Sequence, residues 1–101
     1  MNNDYSEWLS EFGSLVNYLD KTEFQVDVYE ADTYYLVEGL LPFATMESIL
    51  LDVKENYLTI SATDLENNVK TRTVYFPTII EDNKISSVFS KGLLEIKINK
   101  N

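Results

Sequence analysis

Phe24-Gln25-Val26-Asp27-Val28-Tyr29-Glu30-Ala31-Asp32-Thr33-Tyr34-Tyr35-Leu36-Val37-Glu38-Gly39-Leu40-Leu41-Pro42 is the stretch that decides the fold. Phe24, Val26 and Val28 alternate with Gln25, Asp27 and Tyr29, and a period of two buries one face of a sheet. Ala31-Asp32-Thr33 interrupts the run, and a second strand leads from there into Leu41-Pro42. Two successive strands joined by a short polar break read as neighbours in an antiparallel sheet.

The same grammar continues toward the C-terminus. A loop at residues 43–48 precedes a strand over Ile49-Leu50-Leu51-Asp52-Val53, a turn at Lys54-Glu55-Asn56 and a strand from Tyr57 to Thr63 that sets Leu58, Ile60 and Ala62 on one face. Glu66-Asn67-Asn68 is a turn, because Asn tolerates positive φ. Val69 to Phe76 is the next strand, closed by Pro77, which removes a ladder donor. Residues 79–83 connect to a short strand from Lys84 to Phe89. Lys91-Gly92 then turns the chain into a last strand, Leu93 to Asn99, with Leu94, Ile96 and Ile98 on one side. Seven short strands with turns between them predict an all-β, immunoglobulin-like antiparallel β-sandwich.

Toward the N-terminus the period changes. Tyr5, Trp8, Leu9, Phe12, Leu15, Val16 and Leu19 recur every three or four residues, which predicts an amphipathic α-helix with a polar face carrying Asp4, Glu7, Glu11 and Asp20. The expected organisation is a helical arm over residues 1–22 and a sandwich over 23–101.

Composition narrows the chemistry. The chain has 101 residues, with 45% hydrophobic and 13% aromatic side chains, enough for one domain with a real core. It contains neither histidine nor cysteine, so the common nucleophile and metal apparatus is absent and no disulfide framework is available. Seventeen acids against eight bases give a net charge of −9, which argues against nucleic acid or an anionic membrane as partner, since phosphates are held by a Lys/Arg footprint. Residues 1–38 hold nine of the acids against Lys21 alone. Three scattered glycines form no phosphate-cradling loop. No run has the length of a transmembrane helix and the first residues lack a basic, then apolar, leader, so a soluble cytoplasmic protein is expected. The carboxylates follow neither the converging pair of a glycosidase nor the alternate spacing of a calcium loop; Asp64-Leu65-Glu66-Asn67-Asn68 reads as a solvated turn. The expectation is a binding protein, with no enzymatic activity and no cofactor.

From Phe24 onward the chain resembles the α-crystallin domain of the small heat-shock proteins. Val26-Asp27-Val28-Tyr29-Glu30 resembles the family's opening strand, Tyr35 to Pro42 its second strand with a Leu-Pro exit, and Glu47-Ser48-Ile49 the Glu-Asp-Ile that follows. Asn56-Tyr57-Leu58-Thr59-Ile60-Ser61-Ala62 is similar to Asn-x-Leu-x-Ile-x-Gly/Ala. Arg72 stands where the family has the arginine of Arg-x-Phe-x-Leu-Pro, and Ser87, Lys91, Gly92, Leu93 and Leu94 resemble Ala-x-x-x-Asn-Gly-Val-Leu. Departures are equally specific. Only Leu65 to Lys70 stand where bacterial and plant members insert an extra strand that swaps onto a neighbour. Ile96-Lys97-Ile98 has the letters of the family's C-terminal plug but continues the alternation of a strand.

The resemblance implies an ATP-independent holdase that binds partly unfolded proteins and self-associates, with a dimer expected. The residues expected to meet client or partner are Trp8, Leu9, Phe12, Leu15 and Val16 on the helical stripe. Leu51, Val53 and Val88 are expected to join them, in a groove between the strands at 49–53 and 84–89. Arg72 is the expected dimer-interface residue. Apolar neighbours such as Leu36 and Val37, Leu40 and Leu41, Leu50 and Leu51, and Leu93 and Leu94 put apolar surface on both faces of several strands, which suits either a groove or cover by the helix. Two other readings remain open: a structural component such as a spore-coat subunit, and a co-chaperone adaptor resembling the CS domains.

Overall fold

The computed structural model describes residues 24–100. The expected helix and the boundary at residues 22 and 23 lie outside them. The elements are β1 (Val26–Glu30), β2 (Tyr34–Leu40), a single 3-10 turn (Met46–Ser48), β3 (Leu50–Lys54), β4 (Tyr57–Thr63), β5 (Val69–Tyr75), β6 (Ile85–Ser90) and β7 (Leu93–Asn99). They form two antiparallel sheets, one in the order β1-β2-β7-β6 and the other β3-β4-β5.

Alternation dictates which side chains meet between the sheets. Tyr35 and Val37 of β2 stand opposite Ile98 and Ile96 of β7, and all four are buried. Leu58, Ile60 and Ala62 of β4 close the core from the other side with no exposed surface. Each fully buried Leu or Ile contributes about 1.5–3 kcal/mol relative to remaining in water, so this inner layer carries the fold. Ile96 and Ile98 are therefore strand core, in keeping with their alternation.

Several strand ends differ from the alternation by a residue or two. β2 ends at Leu40, and the Leu41 N–H extends its register with β7 by one more bond, to the Gly92 carbonyl in the turn (2.7 Å). β1 starts at Val26, two residues later than alternation suggests, and its inner face fades along its length: Phe24 is buried but Val28 is 46% exposed. β3 and β6 are each shifted one residue C-terminal of the expected span, and β5 ends at Tyr75, one residue before the expected end, with the Phe76 N–H still bonding the Asn56 carbonyl in register with β4.

Residues 64–68 close β4 onto β5 as a direct hairpin. Asp64 organises it: Oδ1 accepts the N–H groups of Glu66 and Asn68, both at 2.9 Å, while Asn67 takes a positive φ of 66°. These bonds, that to Asn68 foremost, hold the Asp64 carboxyl below its ordinary value, because they favour the charged form. The connection contains no further strand.

Candidate apolar groove and sheet edges

Among the described residues the two open sheets leave four strand edges. β1 and β6 bound one sheet and β3 and β5 the other. At one margin the inner positions of β3 and β6 face each other. The inner face of β6 is Ile85, Ser87 and Phe89, as their opposition to Ile98, Ile96 and Leu94 requires. Ser87 is too small to fill its position, so a cavity of about 350 Å³ opens there, lined by Met46, Ile49, Leu51, Ser87, Val88, Phe89 and Leu94. Among the described residues no ionisable side chain lines it. Exposed Met46, Leu50 and Val88, each more than 60% accessible, extend the apolar surface onto its rim. Such a concave apolar site flanked by unpaired backbone suits an extended apolar segment better than any charged or reacting group.

Of the residues expected here, the structure brings Leu51 and Val88 to the same cavity. Val53, next along the inner face of β3, packs against the core opposite Leu58 and does not line it. Trp8, Leu9, Phe12, Leu15 and Val16 lie outside the described residues. Met46, Ile49, Phe89 and Leu94 are groove residues that were not singled out. Ile49 and Phe89 were within reach of the alternation, whereas Met46 comes from the 3-10 turn, which carries no periodic signal.

The opposite margin, at the β1 and β5 edges, is charged. The inner face of β5 carries Lys70, Arg72 and Val74. Arg72 Nη1 donates to the Phe24 carbonyl (3.1 Å), and Lys70 Nζ lies 4.8 Å from the centre of the Phe43 ring. Arg72 thus ties the two sheets together within the chain. The outer face of the larger sheet keeps apolar surface, with Leu40 directly opposite Leu93 and both exposed. Across the molecule a further cavity of about 380 Å³ holds the Lys100–Glu30 ion pair (2.7 Å). Among the described residues no three acidic side chains converge on a metal position, and no helix is long and apolar enough to cross a membrane.

This architecture has relatives. The 18 kDa heat shock protein of Clostridium acetobutylicum is 32% identical over 93 residues, a match covering 76% of this chain and 62% of that protein. Heat shock protein 16.0 from Schizosaccharomyces pombe superposes with a TM-score of 0.70 at 25% identity, covering 78% of this chain and 67% of the other. The sandwich has the α-crystallin fold of the small heat-shock proteins. HSP18.5 from E. histolytica has the same fold, with a TM-score of 0.68 at 19% identity over 77% of this chain and 88% of its own. No protein-family model matches the chain. The chain spans less than two thirds of the length of the Clostridium protein.

Proposed function

We propose that this α-crystallin domain protein is an ATP-independent holdase of the cytoplasm that captures partly unfolded chains in the groove between β3 and β6. The observation that carries this reading is the cavity between two edge strands of opposing sheets, whose walls among the described residues are uncharged and mostly apolar, with exposed Met46, Leu50 and Val88 around it. An extended client segment entering there gains backbone hydrogen bonds along an edge and buries its apolar side chains in the walls. The net negative charge of the chain keeps the loaded complex apart from others of its kind. Self-association through the remaining open edges belongs to the same reading, with a dimer as the expected species.

The test uses substitutions that leave the core alone. Met46→Asp and Val88→Asp replace exposed side chains, so melting temperatures should not change. Both should weaken suppression of light scattering from a heat-stressed model client at stoichiometric protein without nucleotide. Suppression that survives both changes would remove the groove as the capture site. A wild-type chain that suppresses nothing but self-assembles would favour a structural subunit instead.

A further inference from the structure

Leu65 is the most exposed large apolar side chain among the described residues, at 90%. The turn that carries it is tied at both ends. Asp64 donates its N–H to the Asn68 carbonyl (3.0 Å), accepts the Asn67 N–H on its own carbonyl (3.1 Å) and accepts those of Glu66 and Asn68 on Oδ1. A side chain presented on an ordered turn has little freedom left to lose on docking, so Leu65 meets the requirement of an anchor: apolar, projecting and preorganised. Val69, 65% exposed at the start of β5, widens the apolar surface of the same hairpin.

The β3–β6 groove opens at the same end of the sandwich. Two residues before Leu65, the Thr63 N–H donates to Ser48 Oγ (3.4 Å), and Ser48 stands two residues after Met46 in the groove wall. Leu65 does not line the groove of its own chain. The space suits it all the same: a cavity of about 150 Å³ in another protein holds benzene, and this one has about 350 Å³. Charge agrees as well. Glu66 directly follows Leu65, and Lys91 stands two residues past Phe89 of the groove wall; both are exposed, and neither has an ion-pair partner among the described residues. A leucine seated against Phe89 therefore brings an unpaired carboxylate toward an unpaired ammonium.

We propose that two copies of this chain close each other's grooves, with Leu65 of each entering the β3–β6 groove of the other about a two-fold axis. Because turn and groove share one end of the sandwich, a single axis makes both contacts at once, and the interface is self-complementary. The exchange rests on the groove reading above and names what the groove holds when no client is present; it is separate from pairing at the open strand edges. Contacts confined to two short turns belong to the weak, exchanging class of interface, below about 1,200 Å². A client can therefore displace the turn.

Because the chain has no cysteine, Leu65→Cys and Val88→Cys each give a full-length protein with one thiol and a distinct mass, and both replace exposed side chains. Mixed under mild oxidation, they should form the 65–88 disulfide well above the share that random collision gives; a random distribution of mixed and like pairs would overturn the proposal. The double variant should stop at a dimer with two bridges. A ladder of larger species would mean open head-to-tail contact, and a monomer with an internal bridge would put the turn in its own groove; either overturns the exchange. In sedimentation equilibrium of the cysteine-free chain, Leu65→Asp should raise the dimer dissociation constant at least about tenfold without changing the melting temperature. An unchanged constant, or a wild-type chain that stays monomeric, overturns the proposal. Client suppression measured on the same variant keeps the two readings apart: the expected result is a lost dimer with suppression undiminished, whereas an intact dimer with suppression undiminished sinks the exchange and leaves capture standing.

Discussion

The turn between β6 and β7 allows a sharp test of the geometry that aligns the groove's outer strand. Lys91 and Gly92 take φ values of 52° and 82°, the two successive positive angles of a type I′ hairpin turn. At Gly92 a Cβ would lie 3.1 Å from the Pro42 Cα, and that backbone cannot retreat freely because Leu41 donates its N–H to the Gly92 carbonyl at 2.7 Å. Gly92→Ala therefore incurs about 1–2 kcal/mol for a left-handed non-glycine residue. Straining or breaking the bond from Leu41 adds about 0.5–1.5 kcal/mol. Gly39→Ala is the matched control. Its Cβ would meet Phe24, Leu94 and Val26 at 3.7–3.9 Å, ordinary contact distances, so it should be neutral or stabilise by up to about 1 kcal/mol by restricting the unfolded chain. The assay is urea unfolding followed by circular dichroism. With a slope near 1 kcal/mol/M for a small domain, Gly92→Ala should lower the midpoint by roughly 1.5–3.5 M while Gly39→Ala leaves it or raises it. Lys91→Asn, which suits positive φ, should raise it slightly. Equal shifts for the two alanine variants would refute the reasoning, since they would mean that Gly92 is not pressed against Pro42.

Arg72→Gln should lower stability by about 1.5–3 kcal/mol, the value of a hydrogen bond from a charged donor, because the bond to the Phe24 carbonyl joins the two sheets; an unchanged melting temperature would sink this role. The Asp64 carboxyl titrates lower in the folded chain than in the unfolded one, so its contribution is complete above the ordinary carboxylate value and disappears as pH falls through the lowered folded value. Asp64→Asn should flatten stability against pH in that acidic window, and an identical profile for both proteins would remove Asp64 from the account.

The interior strands were the most legible part of the sequence. The bounds of β4 and β7 follow directly from alternation, because Leu58, Ile60 and Ala62, and Leu94, Ile96 and Ile98, are all buried. Edge strands were read less sharply. The bounds of β1, β3 and β6 differ from the expected ones by one or two residues, and a half-exposed Val28 or a Ser87 on the inner face blurs the period. The groove was half visible: Leu51 and Val88 lie on strands, but the cavity exists because Ser87 is small and Met46 arrives from a 3-10 turn, and neither fact has a periodic signature. Arg72 stood out in the sequence as the one arginine and the expected dimer-interface residue. Its bond to Phe24, 48 residues away, could not be read from spacing.

The central pairing of the larger sheet sets the order in which the molecule can assemble. Tyr35 of β2 stands opposite Ile98 of β7, whereas β3, β4 and β5 form a meander of neighbours in sequence. Local hairpins close quickly, and pairing across so much chain is slow because loop closure precedes any reward. As the chain emerges from the ribosome, β1 and β2 form a lone hairpin with one open side until residues 93–99 arrive. A two-stranded hairpin is marginal in water, so through most of its synthesis this domain itself presents the unpaired, apolar strand that a chaperone is built to hold.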